Sequence, residues 1–235
     1  MIVPVTAIIP AYNEADVIGD TVRAARSIPS VSEIIVVDDG STDDTADVAE
    51  KAGADTVIIA PFNKGKGGAL NMAWPAASGD VLLLLDADLG RSASEGSKLL
   101  EPVLKGEADM TVGILGSTRE PAPGERLAAK SGGFGLVVKI ARFGIKALTG
   151  QTFKAPISGQ RALRKKILED TAGFASKFGV EVGLTIDALR LGYRVTEVPV
   201  DIVHRASGRD LKGFIHRGRQ MWNVICTLIR KAARK

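Results

Sequence analysis

VLLLLDADLG, Val81 to Gly90, decides the fold, because five aliphatic residues run straight into two aspartates, Asp86 and Asp88. Val81 to Leu85 is too short for anything but a buried strand, and aliphatic sequence without alternation is how a strand covered on both faces of a parallel sheet reads. Residues i and i+2 of an extended segment point the same way, so both carboxylates are expected to project from the carboxyl edge of the sheet. That is the usual ligand edge of open α/β folds. Two hard oxygen donors there suit Mg2+ or Mn2+ holding a diphosphate.

Working outward, Val3 to Ile9 is apolar and β-branched and Ile34 to Val37 repeats the type. The helical pattern between them, capped by Asn13 and ending near Pro29, completes a βαβ unit. A second unit follows, with a helix after Ser41 and Thr42, a short strand Thr56 to Ile59, a glycine-rich turn, and a helix from about Lys66 to Ala77. Such alternation predicts an α/β fold with a mostly parallel, doubly wound sheet flanked by helices. Beyond Asp88 come a helix, a strand Met110 to Leu115, and a loop Gly116 to Gly124 expected to be mobile. The second half reads as a helix from about Glu125 to Leu148, a short strand through Ile157 to Leu163, and a helix from Arg164. A helix over Glu181 to Leu191, a strand Arg194 to Val200 and a last helix in Leu211 to Ala233 follow. One domain is expected over 1–210, with 211–235 a basic amphipathic helix of the same domain or a peripheral membrane contact.

The 235 residues suffice for one large α/β core. Aliphatic stretches fall far below the roughly 20 residues needed to span a bilayer, and no signal-peptide order opens the chain, so a cytoplasmic location is expected. The single cysteine, Cys226, lies in an apolar helical pattern and reads as packing. Charge is uneven: the net +4 divides into +8 from His204 onward, where nine Lys or Arg face one Asp, and hence −4 before it. That basic end suits an anionic membrane surface; no recognition motif supports nucleic acid.

Two further strand ends carry chemistry. The first strand runs into PAYNE, Pro10 to Glu14, and the second into VDDGSTDDT, Val37 to Thr45. In a parallel sheet both face one crevice, so Tyr12 can cover a base while Glu14, Asp38 and Asp39 accept hydrogen bonds from base and ribose. NKGKGGALN, Asn63 to Asn71, lets backbone amides approach a ligand, with Lys64 or Lys66 meeting phosphate charge. No GxGxxG follows the first strand and no Walker pattern is present, which excludes the usual dinucleotide and P-loop sites.

PAYNE, VDDGSTDDT, GKGGALN and DAD, in this order, resemble the family 2 glycosyltransferases of GT-A fold. The resemblance implies a nucleotide-sugar donor, with Pro10, Tyr12, Glu14, Asp38, Asp39, Lys66 and Asp86 about the nucleotide. It also implies Asp88 as principal ligand of a divalent ion, with Asp86 and His204 completing the metal shell. The order of SGQRALRKKIL (Ser158 to Leu168), FGVEVGLTIDALRLGYRVTEVPV (Phe178 to Val200) and HRASGRD (His204 to Asp210) is similar to the dolichyl- and polyprenyl-phosphate sugar transferases. In that group RxxGxSK follows the EVP strand; here Arg209 and Asp210 stand where Ser and Lys are expected.

Arginine offers a planar fork for bidentate phosphate contacts, so Arg161, Arg205 and Arg209 are candidates for gripping donor or acceptor phosphate, Arg205 within the catalytic set. A phosphate acceptor is already ionised and needs no base, and Glu181 is assigned to acceptor positioning. The expected reaction is an inverting single displacement from a UDP- or GDP-sugar onto polyprenyl phosphate. A soluble acceptor such as 3-phosphoglycerate, and a non-catalytic nucleotide- or glycan-binding module, are the alternatives.

Overall fold

Seven strands form one sheet in the order β3-β2-β1-β4-β6-β5-β7. They are β1 (Val5–Ala11), β2 (Val31–Asp38), β3 (Thr56–Ile59), β4 (Val81–Leu84), β5 (Met110–Leu115), β6 (Arg161–Arg164) and β7 (Val195–Val200). The computed structural model describes residues 3–116, 134–175, 179–202, 222 and 224–233. Helices α1 (Ile18–Arg26), α2 (Thr45–Lys51), α3 (Gly65–Ala73), α4 (Gly96–Leu104), α5 (Phe134–Thr149), α6 (Lys165–Thr171) and α7 (Val180–Arg190) cover its faces. Residues 224–233 add a C-terminal helix.

All four residues of β4 are buried, and successive ones serve opposite faces. Leu83 packs with Ile9, Val36, Val22 of α1 and Leu99 of α4, whereas Leu82 and Leu84 pack with Ile8, Leu70 of α3 and Leu184 of α7. This double covering is what the unbroken aliphatic run encodes. Register aligns the strand ends: Ala11 stands opposite Asp38 and Ile8 opposite Leu84. The chain therefore leaves β1, β2 and β4 at one edge.

The sheet is mostly parallel, as expected, with β6 antiparallel to both β4 and β5. Some expected boundaries shift. Asn13 does not cap the first helix; it adopts φ 54, a left-handed conformation that asparagine tolerates, and α1 begins at Ile18. The next helix starts at Thr45, after Ser41 and Thr42 as expected, whereas the strand expected through Ile157 to Leu163 is confined to Arg161–Arg164. The loop expected over Gly116 to Gly124 lies outside the described residues except Gly116.

Candidate active site

The first two strand ends are stitched together before any ligand is considered. Asn13 Oδ1 accepts the Thr42 amide at 2.8 Å and its own N–H donates to Ser41 Oγ at 2.9 Å. The Glu14 amide donates to Thr45 Oγ1 at 2.8 Å and that of Ala15 to Asp43 Oδ2 at 3.1 Å. PAYNE and DDGSTDDT thus form one rigid rim, with Tyr12 exposed upon it.

Asp38 and Asp39 are both buried. Asp38 Oδ1 accepts the Ser41 amide at 2.8 Å, closing the turn at Gly40, which adopts φ 78. Asp39 divides its oxygens between the amides of Lys64 (2.7 Å) and Gly65 (2.8 Å), so it secures the start of α3 and the glycine-rich turn. A carboxylate at a helix N-terminus is favoured by both the free amides and the helix dipole.

At the end of β4, Asp86 remains extended and Asp88 enters the first turn of a 3-10 segment, Ala87–Glu95. The pleat therefore does not carry Asp88: it lies in a turn beyond the strand rather than at the i+2 position of an extended segment that the sequence suggested. Thr21 of α1 pins that turn, donating to Ala87 O at 2.7 Å and accepting the Gly90 amide at 2.8 Å.

Asp86 is the hub. Lys66 Nζ approaches its Oδ1 at 2.5 Å and Gln160 Nε2 donates to its Oδ2 at 2.6 Å, while the Asp86 amide donates to Gln160 Oε1 at 3.1 Å. Lys66 also meets Glu181 Oε1 at 3.4 Å, in the first turn of α7. Burial alone would lower the Lys66 pKa, but Asp86 and Glu181 outweigh it and the ammonium is held well above its ordinary value. Gly159 makes room, since a Cβ there would stand 2.2 Å from Lys66 Nζ and 3.0 Å from Asp86 Oδ1.

Arg161 departs from its expected place. It is 1% exposed, and its guanidinium donates inward to Ser158 O (2.9 Å), Thr185 Oγ1 (2.9 Å) and Pro156 O (3.4 Å). Burial pushes it down to about 10, against the pull of Glu181 and Glu197. It joins β6 to α7 from beneath, and no fork is offered to a phosphate. Nearby, Ser158 Oγ is buried without a partner among the described residues.

The structure therefore brings together Asp86, Lys66 and Glu181, with Asp38 and Asp39 along the same edge. His204, Arg205 and Arg209 lie outside the described residues. Sequence reasoning missed Ser158, Gly159 and Gln160, which lie just before β6, and Thr185, inside α7, because an isolated small or polar residue carries no motif of its own. Hard carboxylate oxygens at Asp86 and Asp88 fit a divalent ion that takes its remaining ligands from phosphate and water. Among the described residues no cluster of three or more His, Cys, Asp or Glu side chains forms an all-protein metal cage.

Comparison with known proteins places residues 6–171 in "Glycosyl transferase family 2". The chain belongs to this family. Glycosyltransferase AglJ of Haloferax volcanii is 30% identical over 210 residues, 86% of this chain, which spans 63% of that protein's length. An undecaprenyl-phosphate mannosyltransferase of Micrococcus luteus is 30% identical over 88% of this chain and 86% of its own. Glucosyl-3-phosphoglycerate synthase from Mycobacterium tuberculosis, solved in complex with Mn2+, UDP-glucose and phosphoglyceric acid, superposes with a TM-score of 0.79 at 28% identity, covering 98% of this chain and 80% of that one. The α/β sheet and the GT-A architecture stand as the sequence suggested.

Proposed function

We propose that this glycosyltransferase moves a sugar from a nucleoside diphosphate, UDP before GDP, onto polyprenyl phosphate at the cytoplasmic face of a membrane. The observation that carries the reading is the Lys66–Asp86–Glu181 cluster beside Asp88, at the same edge as the Asp39-anchored glycine turn. We read this arrangement as a diphosphate subsite with polar side chains beside it that can contact sugar hydroxyls.

In the displacement, an acceptor phosphate oxygen attacks the anomeric carbon, the bond from that carbon to the diphosphate breaks, and the nucleoside diphosphate leaves with the electron pair. No proton need be removed from the acceptor. A divalent ion held by Asp88, with Asp86 and His204 as the further candidate ligands, would offset charge gathering on the leaving group. Tyr12, Glu14, Asp38 and Asp39 line the nucleoside side, and Pro10 ends the strand that presents them. Lys66 bridges Asp86 and Glu181, and Glu181 faces the acceptor. Arg205 and Arg209 supply phosphate contacts, whereas Arg161 acts by fixing β6 against α7 rather than by contact.

The lipid acceptor is supported by the similarity to the undecaprenyl-phosphate enzyme over 88% of this chain and 86% of that one. A soluble phosphorylated acceptor is the second reading, favoured by the likeness to the phosphoglycerate enzyme. Both are separated by supplying Mn2+ or Mg2+, labelled UDP- and GDP-sugars, and either short-chain polyprenyl phosphate or 3-phosphoglycerate to the protein and to Asp88→Asn. Label in the organic phase, lost in Asp88→Asn, is the expected result. Label in a charged water-soluble product moves the acceptor to the second reading, and nucleotide binding without turnover of any donor leaves a binding module.

A further inference from the structure

Helix α5 has one face in the protein and one face turned out. Val137, Ala141 and Ile145 are buried against Val182 and Ile186 of α7 and Val224 of the C-terminal helix. On the opposite side Leu136 is 56% and Phe143 76% exposed, seven residues apart and hence on one stripe. Lys139 and Lys146 repeat the same spacing and are also exposed, and α5 contains no Asp or Glu.

The C-terminal helix continues this surface. Leu228 seats against Gly144, where a Cβ would come within 2.3 Å of its Cδ2, so the two helices touch backbone to side chain. Residues 222 and 224–233 carry no acid, and Trp222 is 67% and Ile229 63% exposed. The buried side of this helix is spent on the protein: Val224 and Leu228 join the α5–α7 cluster, and Lys231 pairs with Asp187. Sequence pattern gives both this tail and the α5 segment an amphipathic cationic character; the exposure of Leu136 and Phe143 shows which face of α5 is turned out.

We infer that the outer face of α5, with Leu136 and Phe143 inserted and Lys139 and Lys146 at the headgroups, docks the protein on an anionic lipid surface. Large apolar side chains flanked by lysines suit the boundary between acyl chains and anionic headgroups. A second copy of the chain fits worse, because a two-fold contact would bring the lysines of one face against those of the other. The inference rests on the lipid-acceptor reading for its purpose, but its test does not.

The test is co-sedimentation of the full chain, without donor or acceptor, with vesicles of phosphatidylcholine alone and of phosphatidylcholine mixed with phosphatidylglycerol. Binding is expected to the mixed vesicles only, with a loss of roughly tenfold or more in Leu136→Ser/Phe143→Ser at unchanged circular dichroism. Lys139→Gln/Lys146→Gln should weaken that preference for anionic lipid. Absence of binding to mixed vesicles, or undiminished binding by the Leu136/Phe143 variant, overturns the inference. So does a dimer in light scattering that the same variant dissociates, which would assign the face to a second copy. An unaltered chain that binds no mixed vesicles yet transfers sugar to short-chain acceptor would remove the docking face alone; vesicle binding without any transfer would remove the proposed reaction alone.

Discussion

Lys66 Nζ lies 2.5 Å from Asp86 Oδ1 and 3.4 Å from Glu181 Oε1, so a single ammonium ties the end of β4 to the first turn of α7. Without it, two half-buried carboxylates would share one pocket with their mutual repulsion uncompensated. The folded-state pKa of Lys66 is raised, so its stabilising contribution is complete below the ordinary lysine value and is lost only as strongly alkaline pH passes the folded value. Across the neutral range it is constant.

Lys66→Met is expected to lower stability by about 1–3 kcal/mol at neutral pH, since it leaves like charges facing each other. The deficit should shrink when Glu181 is also replaced by Gln, which removes the like-charge contact. Urea unfolding of the single and double variants checks this. An undiminished deficit in Lys66→Met/Glu181→Gln would contradict the pairing.

Ser158 offers a different signature. Its hydroxyl is buried without a partner among the described residues, and it opens the segment that carries Gly159, Gln160 and Arg161. Removing an unsatisfied polar atom relieves a desolvation cost, so Ser158→Ala should leave Tm unchanged or slightly raised. If the hydroxyl is a ligand contact, the same variant raises the donor KM several-fold. Calorimetry of UDP with Mn2+ measures the binding side directly, and unchanged affinity assigns the orphan to folding alone.

Acid sensitivity has a specific seat in Glu33, on β2. Its Oε2 accepts Thr6 Oγ1 at 2.5 Å and both the amide and the hydroxyl of Ser78 at 2.8 Å. Burial would raise this carboxyl, but the three hydrogen bonds outweigh it and hold it below its ordinary value. A depressed carboxylate contributes stability above the unfolded pKa, about 4.3 for Glu, that is lost as pH falls through the folded value. Glu33→Gln should cost about 1–2 kcal/mol at pH 7 and flatten the acid limb of the unfolding curve. Thermal unfolding between pH 3 and pH 7 is the measurement.

The aliphatic run Val81 to Leu85 was readable because a strand buried on both faces leaves no room for polar residues. The strand-end motifs were readable because such edges concentrate acids and turn residues. What the sequence hides is direction. Gln160 immediately precedes β6, the antiparallel strand between β4 and β5, and only that pairing turns its amide onto Asp86. Arg161 shows the complementary failure: chemistry marked it as a phosphate fork, yet its strand position directs the guanidinium into the core. Neither register nor strand polarity is written in local composition.

Gly159 separates the two links of this site, packing and electrostatics. Its φ is not in the left-handed region, so alanine is permitted by the backbone, and what forbids it is space: the added Cβ would stand 2.2 Å from Lys66 Nζ. That obstacle is the tip of a flexible side chain, which can swing aside at little cost to the fold. Asp86, with its carboxylate oxygens 3.0 and 3.1 Å from the same point, is held by Gln160 and has less freedom to move. Gly159→Ala is therefore expected to displace Lys66 from Asp86 and Glu181 while changing stability by less than about 1.5 kcal/mol. Its kinetic loss should approach that of Lys66→Met, and in Lys66→Met/Gly159→Ala the two effects should fail to add, because both remove one interaction. A double-mutant cycle on transfer rate and on UDP binding checks this: full additivity would mean that Gly159 acts elsewhere than through Lys66.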